Sequence, residues 1–270
     1  MRIGICAPAC PISPELAERL RAWTADRYGD RVELVFHPQC FLRAGHFAGP
    51  DEARLEAFVA SANAPDLDAV WFARGGYGSA RIADAAVAGL MPSAGAKAYL
   101  GYSDIGFLLG ALNRAGIGRQ VHAPVVADFG RDGGEAAIAR VLGWAVDGDG
   151  AGLEPSLDGA PAIAFNLTVL SHLVDTPLMP GLAGRVLMVE EVSEHHYAID
   201  RALWHVLHSR SVAGIAGLRL GRCTLVPQND PPFGIDEEAI ARHWCEATGV
   251  PYLGRADIGH DASNKIVPWN

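Results

Sequence analysis

Four short segments of this 270-residue chain carry side chains able to do covalent chemistry. The first is Tyr99-Leu-Gly-Tyr-Ser-Asp-Ile-Gly106, in which an apolar run reaches Gly101 and a helical pattern begins just after Ser103. In a parallel sheet, a serine between strand and helix stands beyond the carboxyl ends of the strands, where such sheets place their active sites. A sharp turn there exposes the hydroxyl and aims the N–H of Asp104 at a developing oxyanion. The same serine would serve equally as a helix N-cap. The hydrolase elbow G-x-S-x-G is not matched, because the second glycine comes one residue late.

The second segment is Ala73-Arg-Gly-Gly-Tyr-Gly-Ser79. Its glycines let backbone approach a ligand closely and present N–H groups, with Arg74 as a candidate carboxylate binder. A dinucleotide fingerprint fails here, since the sixth position counted from Gly76 is Arg81, and no Gly-Lys-Ser/Thr of a phosphate loop occurs. A plain tight turn is the competing reading. In the third segment, Leu187-Met-Val-Glu-Glu-Val192, two carboxylates interrupt an apolar strand. Neighbouring strand residues point to opposite faces, so one carboxylate must face the core or a cleft, where a paired histidine would offset its burial. A solvated strand end is the alternative. The fourth, Ile258-Gly-His-Asp-Ala-Ser-Asn264, offers His260 in a polar turn. The other histidines lack ligand spacing, and the adjacent His195 and His196 do not share a face. Neither a metal nor a cofactor is expected.

Strand–helix alternation should position these segments. Ile3–Ala7, Val32–Phe36, Ala69–Ala73 and Ala98–Gly101 read as strands. Helices are expected after Ser13-Pro14, with an N-cap and a proline at the first helical position, and over 51–60, 79–88 and 105–114. This predicts a parallel α/β sheet covered on both faces. Residues 148–162, rich in Gly, Asp, Pro and Ala, read as a linker between an N-terminal nucleophile domain (1–147) and a smaller α+β domain (163–270). In the latter, helices are expected at 167–174, 199–207 and 237–248, and strand-like pieces at 186–189, 214–220 and 223–226.

The bulk numbers exclude several function classes. Half the residues are hydrophobic and a fifth charged, as in globular proteins. The net charge of −9 argues against nucleic-acid or anionic-membrane partners. Five cysteines without C-x-x-C spacing argue against a disulfide framework or structural zinc. With no apolar leader and no long apolar stretch, a cytoplasmic protein is expected.

Taken in order, Ile5-Cys-Ala-Pro8, Arg74-Gly-Gly-Tyr-Gly78, Gly101-Tyr-Ser-Asp104, His122-Ala-Pro124, Asn166-Leu167, Val189-Glu-Glu-Val192 with Tyr197-Ala-Ile-Asp-Arg201, and Gly259-His260 with Asn264 and Pro268 resemble the LD-carboxypeptidase family of serine peptidases, which includes the microcin C immunity peptidases. The resemblance implies a triad of Ser103, His260 and Glu190, with Glu191 beside it. It also implies an oxyanion hole from the N–H of Asp104 and one of Gly75 or Gly76, with the nucleophile carried by the N-terminal domain and Glu190 and His260 by the C-terminal one. Arg74 and Tyr102 are the candidate substrate contacts. The implied activity is release of a terminal D-amino acid, D-alanine, from a muropeptide in peptidoglycan recycling, by a homodimer. An immunity-type peptidase cutting an aminoacyl-nucleotide amide, and a catalytically impaired binding module, are the alternatives. Three departures stand out: Phe165 replaces a glycine, His-Ala-Pro replaces His-Gly-Pro, and the pattern ends at Asn270, ten residues after His260. The last predicts a looser histidine turn and lower activity.

Overall fold

The computed structural model describes residues 1–157 and 159–270. Its first half builds β1 (Arg2–Cys6), α1 (Pro14–Tyr28), β2 (Glu33–Phe36), α2 (Asp51–Asn63), β3 (Ala69–Phe72), α3 (Ala83–Ala88), β4 (Ala98–Gly101), α4 (Gly106–Arg114), β5 (Arg119–His122) and α5 (Gly134–Asp147). The second half builds β6 (Ala162–Asn166), α6 (Leu167–Leu173), β7 (Val186–Val192), α7 (His196–His208), β8 (Gly217–Thr224), α8 (Glu237–Thr248), β9 (Tyr252–Arg255) and β10 (Val267–Pro268).

The strands form two sheets. In the first, β2, β1, β3, β4 and β5 pair in parallel in that order, and β10 closes the edge antiparallel to β5. β3 and β4 are buried along their whole length, the mark of strands covered on both faces. The expected cap of α1 is present, with Ser13 Oγ accepting from Leu16 N at 3.2 Å ahead of Pro14. The second sheet, β6-β7-β8-β9, is parallel in every ladder. This refines the α+β reading of that half: the mixture of helices and strands is present, but its layers are those of an α/β unit. The two strand pieces read at 214–220 and 223–226 are one strand, β8, whose continuity is hidden by a bulge.

The halves share their packing. One apolar cluster runs from Phe58, Phe72, Ile105 and Leu108 of the first half to Phe165, Leu167, Leu187, Leu203 and Leu220 of the second. Phe165 is 1% exposed, and its ring lies 4.7 Å from Trp269, so this departure from the family pattern is absorbed as interior packing. The chain end crosses back to the first sheet: Val267 pairs with His122, and Trp269 N donates to Gln120 O at 2.9 Å.

The segment read as a linker is tied down rather than extended. Leu153 bridges Ile266, and the buried Glu154 carboxylate accepts from Asp257 N at 3.0 Å and Ser156 N at 2.9 Å. Asp158, inside that segment, lies outside the described residues. Among the described residues, no helix is long and apolar enough to cross a membrane.

A shared core should unfold as one unit. Phe165→Ala is expected to cost about 3–5 kcal/mol and to lower a single denaturation transition followed by both fluorescence and far-UV circular dichroism. Two separated transitions would contradict the shared core.

Candidate active site

Ser103 follows β4 and opens a single 3-10 turn ahead of α4. Its φ is +62°, a left-handed conformation costing a non-glycine residue about 1–3 kcal/mol and concentrated at functional sites. Its hydroxyl makes no capping bond, so the N-cap reading fails. The turn is held from below by Asp104, which is buried and accepts from Ser79 N at 2.9 Å, while Asp104 O accepts from Ser79 Oγ. Burial raises the Asp104 carboxyl above its ordinary value, against the hydrogen bonds from Ser79.

Those bonds lock the serine turn to the glycine loop after β3. A Cβ added to Gly75 would lie 3.0 Å from Ser103 Cβ, 3.1 Å from Ser103 Oγ and 3.5 Å from Asp104 N. Only glycine leaves that space open, and the space lies beside both the Ser103 hydroxyl and the Asp104 nitrogen. From the other side the fully buried Arg54 donates to Gly78 O at 2.8 Å and to Pro8 O, tying the loop to the end of β1. Arg74 itself is exposed and has no ion-pair partner within 4.0 Å among the described residues.

The third and fourth segments meet in the second sheet. Glu190 and Glu191 are both buried, so neither is a solvated strand end. Glu191 accepts from Asn166 Nδ2, Thr168 N, Thr168 Oγ1 and Val192 N at 2.7–2.8 Å; these four donors hold the start of α6 against β7 and occupy it structurally. Glu190 instead accepts from His260 Nδ1. Opposite Glu190, β8 bulges at Gly221, where a Cβ would lie 2.9 Å from Glu190 Cβ and 2.7 Å from Ile258 Cγ1. The missing side chain lets the histidine turn press down onto β7 and β8. Because a carboxylate only accepts, the proton on that imidazole sits on Nδ1 and Nε2 is left free to accept a proton. Burial lowers the proton affinity of His260, but the Glu190 carboxylate outweighs it and the net shift is upward from 6.5.

The turn bearing His260 is gripped from both halves. Asn264 Oδ1 accepts from Gly259 N at 3.1 Å and from His122 Nε2 at 3.2 Å. Burial pushes His122 down to about 4, so it is a neutral donor. Arg222 of β8 makes a bidentate pair with Asp261 at 2.5 and 2.8 Å. Arg140 of α5 donates to Ala262 O and to Asn264 O. Arg131 donates to His260 O at 2.9 Å. The looser turn expected of this histidine is not what these bonds describe.

The rings of His260 and Tyr102, the residue before Ser103, lie 4.7 Å apart, which brings the second-sheet pair to the nucleophile turn. No hydrogen bond of 3.5 Å or less joins Ser103 Oγ to His260 among the described residues. Tyr102 is buried, and its hydroxyl is used up, donating to Asp128 Oδ1 at 3.3 Å and accepting from Arg131 Nη1 at 3.2 Å. It offers a packing wall behind His260 rather than a free donor to a substrate. Asp128, Arg131, Arg140 and Arg222 carry no signal in the sequence: none stands in a short motif, and the residues gripped by the three arginines at this turn lie 39 to 129 positions away.

Comparison with known proteins identifies the family. Residues 3–123 match the LD-carboxypeptidase N-terminal domain and residues 160–270 its C-terminal domain. The murein tetrapeptide carboxypeptidase of Pseudomonas aeruginosa is 29% identical over 99% of this chain and 91% of its own length. The muramoyltetrapeptide carboxypeptidase of Oxalobacter formigenes superposes with a TM-score of 0.83 at 24% identity, over 100% of this chain and 93% of the other. The microcin C7 self-immunity protein MccF, in complex with aspartyl sulfamoyl adenosine, gives 0.80 at 17%, over 100% and 91%. At those identities the two structures speak for the fold. With both domain models matched in order and across most of its length, the chain belongs to the LD-carboxypeptidase family and is a serine-type carboxypeptidase, a hydrolase.

Proposed function

We propose that Ser103, His260 and Glu190 form a catalytic triad that releases a terminal D-amino acid, D-alanine, from a muropeptide. The observation that carries the reading is the buried Glu190–His260 pair, set against the turn that holds Ser103 at φ +62°. Nε2 of His260 takes the hydroxyl proton as Ser103 Oγ attacks the carbonyl of the diamino acid's L-centre. The oxyanion then lies among the N–H groups of Asp104 and of Gly75 or Gly76. The proton passes to the departing amine, an acyl-enzyme remains on Ser103, and water, deprotonated by the same nitrogen, releases it. The Ser103–His260 hydrogen bond is expected to close as substrate binds, as such bonds do in other hydrolases.

Arg74 is the candidate clamp for the free terminal carboxylate, because it is exposed next to Gly75 and carries no ion pair among the described residues. That clamp suits a carboxypeptidase better than an amidase acting on an aminoacyl-nucleotide, whose departing group presents no such carboxylate. A recycling role in the cytoplasm follows from the same substrate choice, and the homodimer is carried by the family resemblance alone.

Ser103→Ala is expected to abolish D-alanine release, by about a million-fold, with an unchanged circular dichroism spectrum. A side-by-side assay on an aminoacyl-nucleotide amide tests the substrate class. Turnover by the variant would remove Ser103 from the chemistry, and turnover of the nucleotide amide alone would remove the muropeptide.

The pH dependence follows from the upward shift of His260. The base must be neutral, so kcat/KM should fall with decreasing pH through a value above 6.5. In Glu190→Gln the carboxylate that raises the imidazole is gone and burial, which lowers it, remains. The acid limb is then expected to move below 6.5, with kcat down about 10⁴-fold. An unmoved limb would separate Glu190 from the base.

A further inference from the structure

We infer that Arg131 is a positioning residue of the reaction, holding the base against the nucleophile turn by gripping the backbone carbonyl of His260 from the first domain. The inference rests on the triad reading above and adds to it the part that joins its two halves.

Arg131 follows a short 3-10 turn, Val126–Gly130, between β5 and α5. Its Nη1 donates to His260 O at 2.9 Å and to Tyr102 Oη at 3.2 Å, and it lies 3.1 Å from Asp128 Oδ1 in an ion pair. Asp128 is itself fixed, with its other oxygen accepting from Val125 N at 2.9 Å. One guanidinium thus connects Tyr102, the residue before the nucleophile, 29 positions back, to the main chain of the base, 129 positions ahead of Arg131. A lysine ammonium keeps the charge and the N–H donors that these contacts use, whereas a glutamine amide keeps donors without the charge.

Position also sets charge. The groups facing the His260 ring are Glu190 from β7, Tyr102, Asp128 and Arg131 from the first domain, and neutral His122 from β5; Asp261 on its own turn is paired with Arg222. Glu190 and Asp128 favour the imidazolium, and Arg131 opposes it. Removing Arg131 therefore does two things in one direction: it withdraws a nearby cation and leaves the buried Asp128 carboxylate without its ion-pair partner. Both favour protonated His260, which cannot act as the base. Asp128→Asn withdraws an anion and acts the opposite way. A residue that merely helped the fold would not produce opposed shifts from two neighbours.

The test is the pH profile of kcat and KM for D-alanine release from a synthetic tetrapeptide ending in a diamino acid–D-alanine pair. Wild type, Arg131→Gln, Arg131→Lys and Asp128→Asn are compared, with Ser103→Ala in parallel. Arg131→Gln is expected to lower kcat by about 10–100-fold with KM little changed, and to move the acid limb upward by about half a pH unit or more. Arg131→Lys should return the limb to its wild-type place and recover most of kcat, and Asp128→Asn should move the limb downward. Wild-type kcat and limb in Arg131→Gln, or a limb that Arg131→Lys fails to restore, would overturn the inference while an inactive Ser103→Ala leaves the triad standing. If Arg131→Gln does not fold, the direction of the Asp128→Asn shift decides: downward supports the inference, and an unmoved limb overturns it. Activity in Ser103→Ala would instead overturn the triad itself.

Discussion

A fully buried carboxylate is costly unless something pays for its desolvation, and at Glu190 that partner is His260. Its second oxygen, Oε1, has no hydrogen-bond partner among the described residues. The strand that carries Glu190 therefore depends on a turn 70 positions later folding back onto it. Much of the second half serves that return. The bulge at Gly221 clears the space, Arg222 holds Asp261, and Asn264 closes the turn on Gly259 N.

The first half depends on the same pairing from the other side. Its sheet delivers Ser103 at the end of β4 and the glycine loop at the end of β3, locked together through Asp104 and Ser79. It then reaches across to the histidine turn with His122, Arg131 and Arg140. The apolar cluster common to both halves and the β10–β5 pairing keep the two from moving independently. The proposed triad, split between two units, is workable only when their separation is fixed, since misplacement by about 1 Å can cost about 100-fold in rate.

Elements with local signals were legible in the sequence. Ser13-Pro14 announced α1, and the alternation of apolar runs and helical patterns announced the first parallel sheet. The strands at 119–122, Arg-Gln-Val-His, and 252–255, Tyr-Leu-Gly-Arg, escaped because they lack the apolar run that marks β2 to β4, and 162–166 because it begins inside the segment read as a linker. Residues 134–147 escaped although they form a full helix. The pairing direction of the second sheet was invisible, because a strand pattern does not encode its partner. At the site, Ser103, Glu190 and His260 stood out by residue type and family pattern. The arginines did not, since each acts on a carbonyl or carboxylate far away in sequence. Glu190 and Glu191 could not be told apart by burial, as both are interior; only their partners separate a pair facing His260 from a carboxylate spent on α6.

The central claim is that Ser103 and His260, from different halves of the chain, act as one unit. The most direct measurement is a double-mutant cycle on kcat, comparing Ser103→Ala, His260→Ala and the double variant on one peptide substrate. Residues acting as a unit are grossly non-additive, so the double variant should be no slower than either single one, within about a few-fold. Losses that multiply, the double variant falling by the product of the two single effects, would contradict the claim.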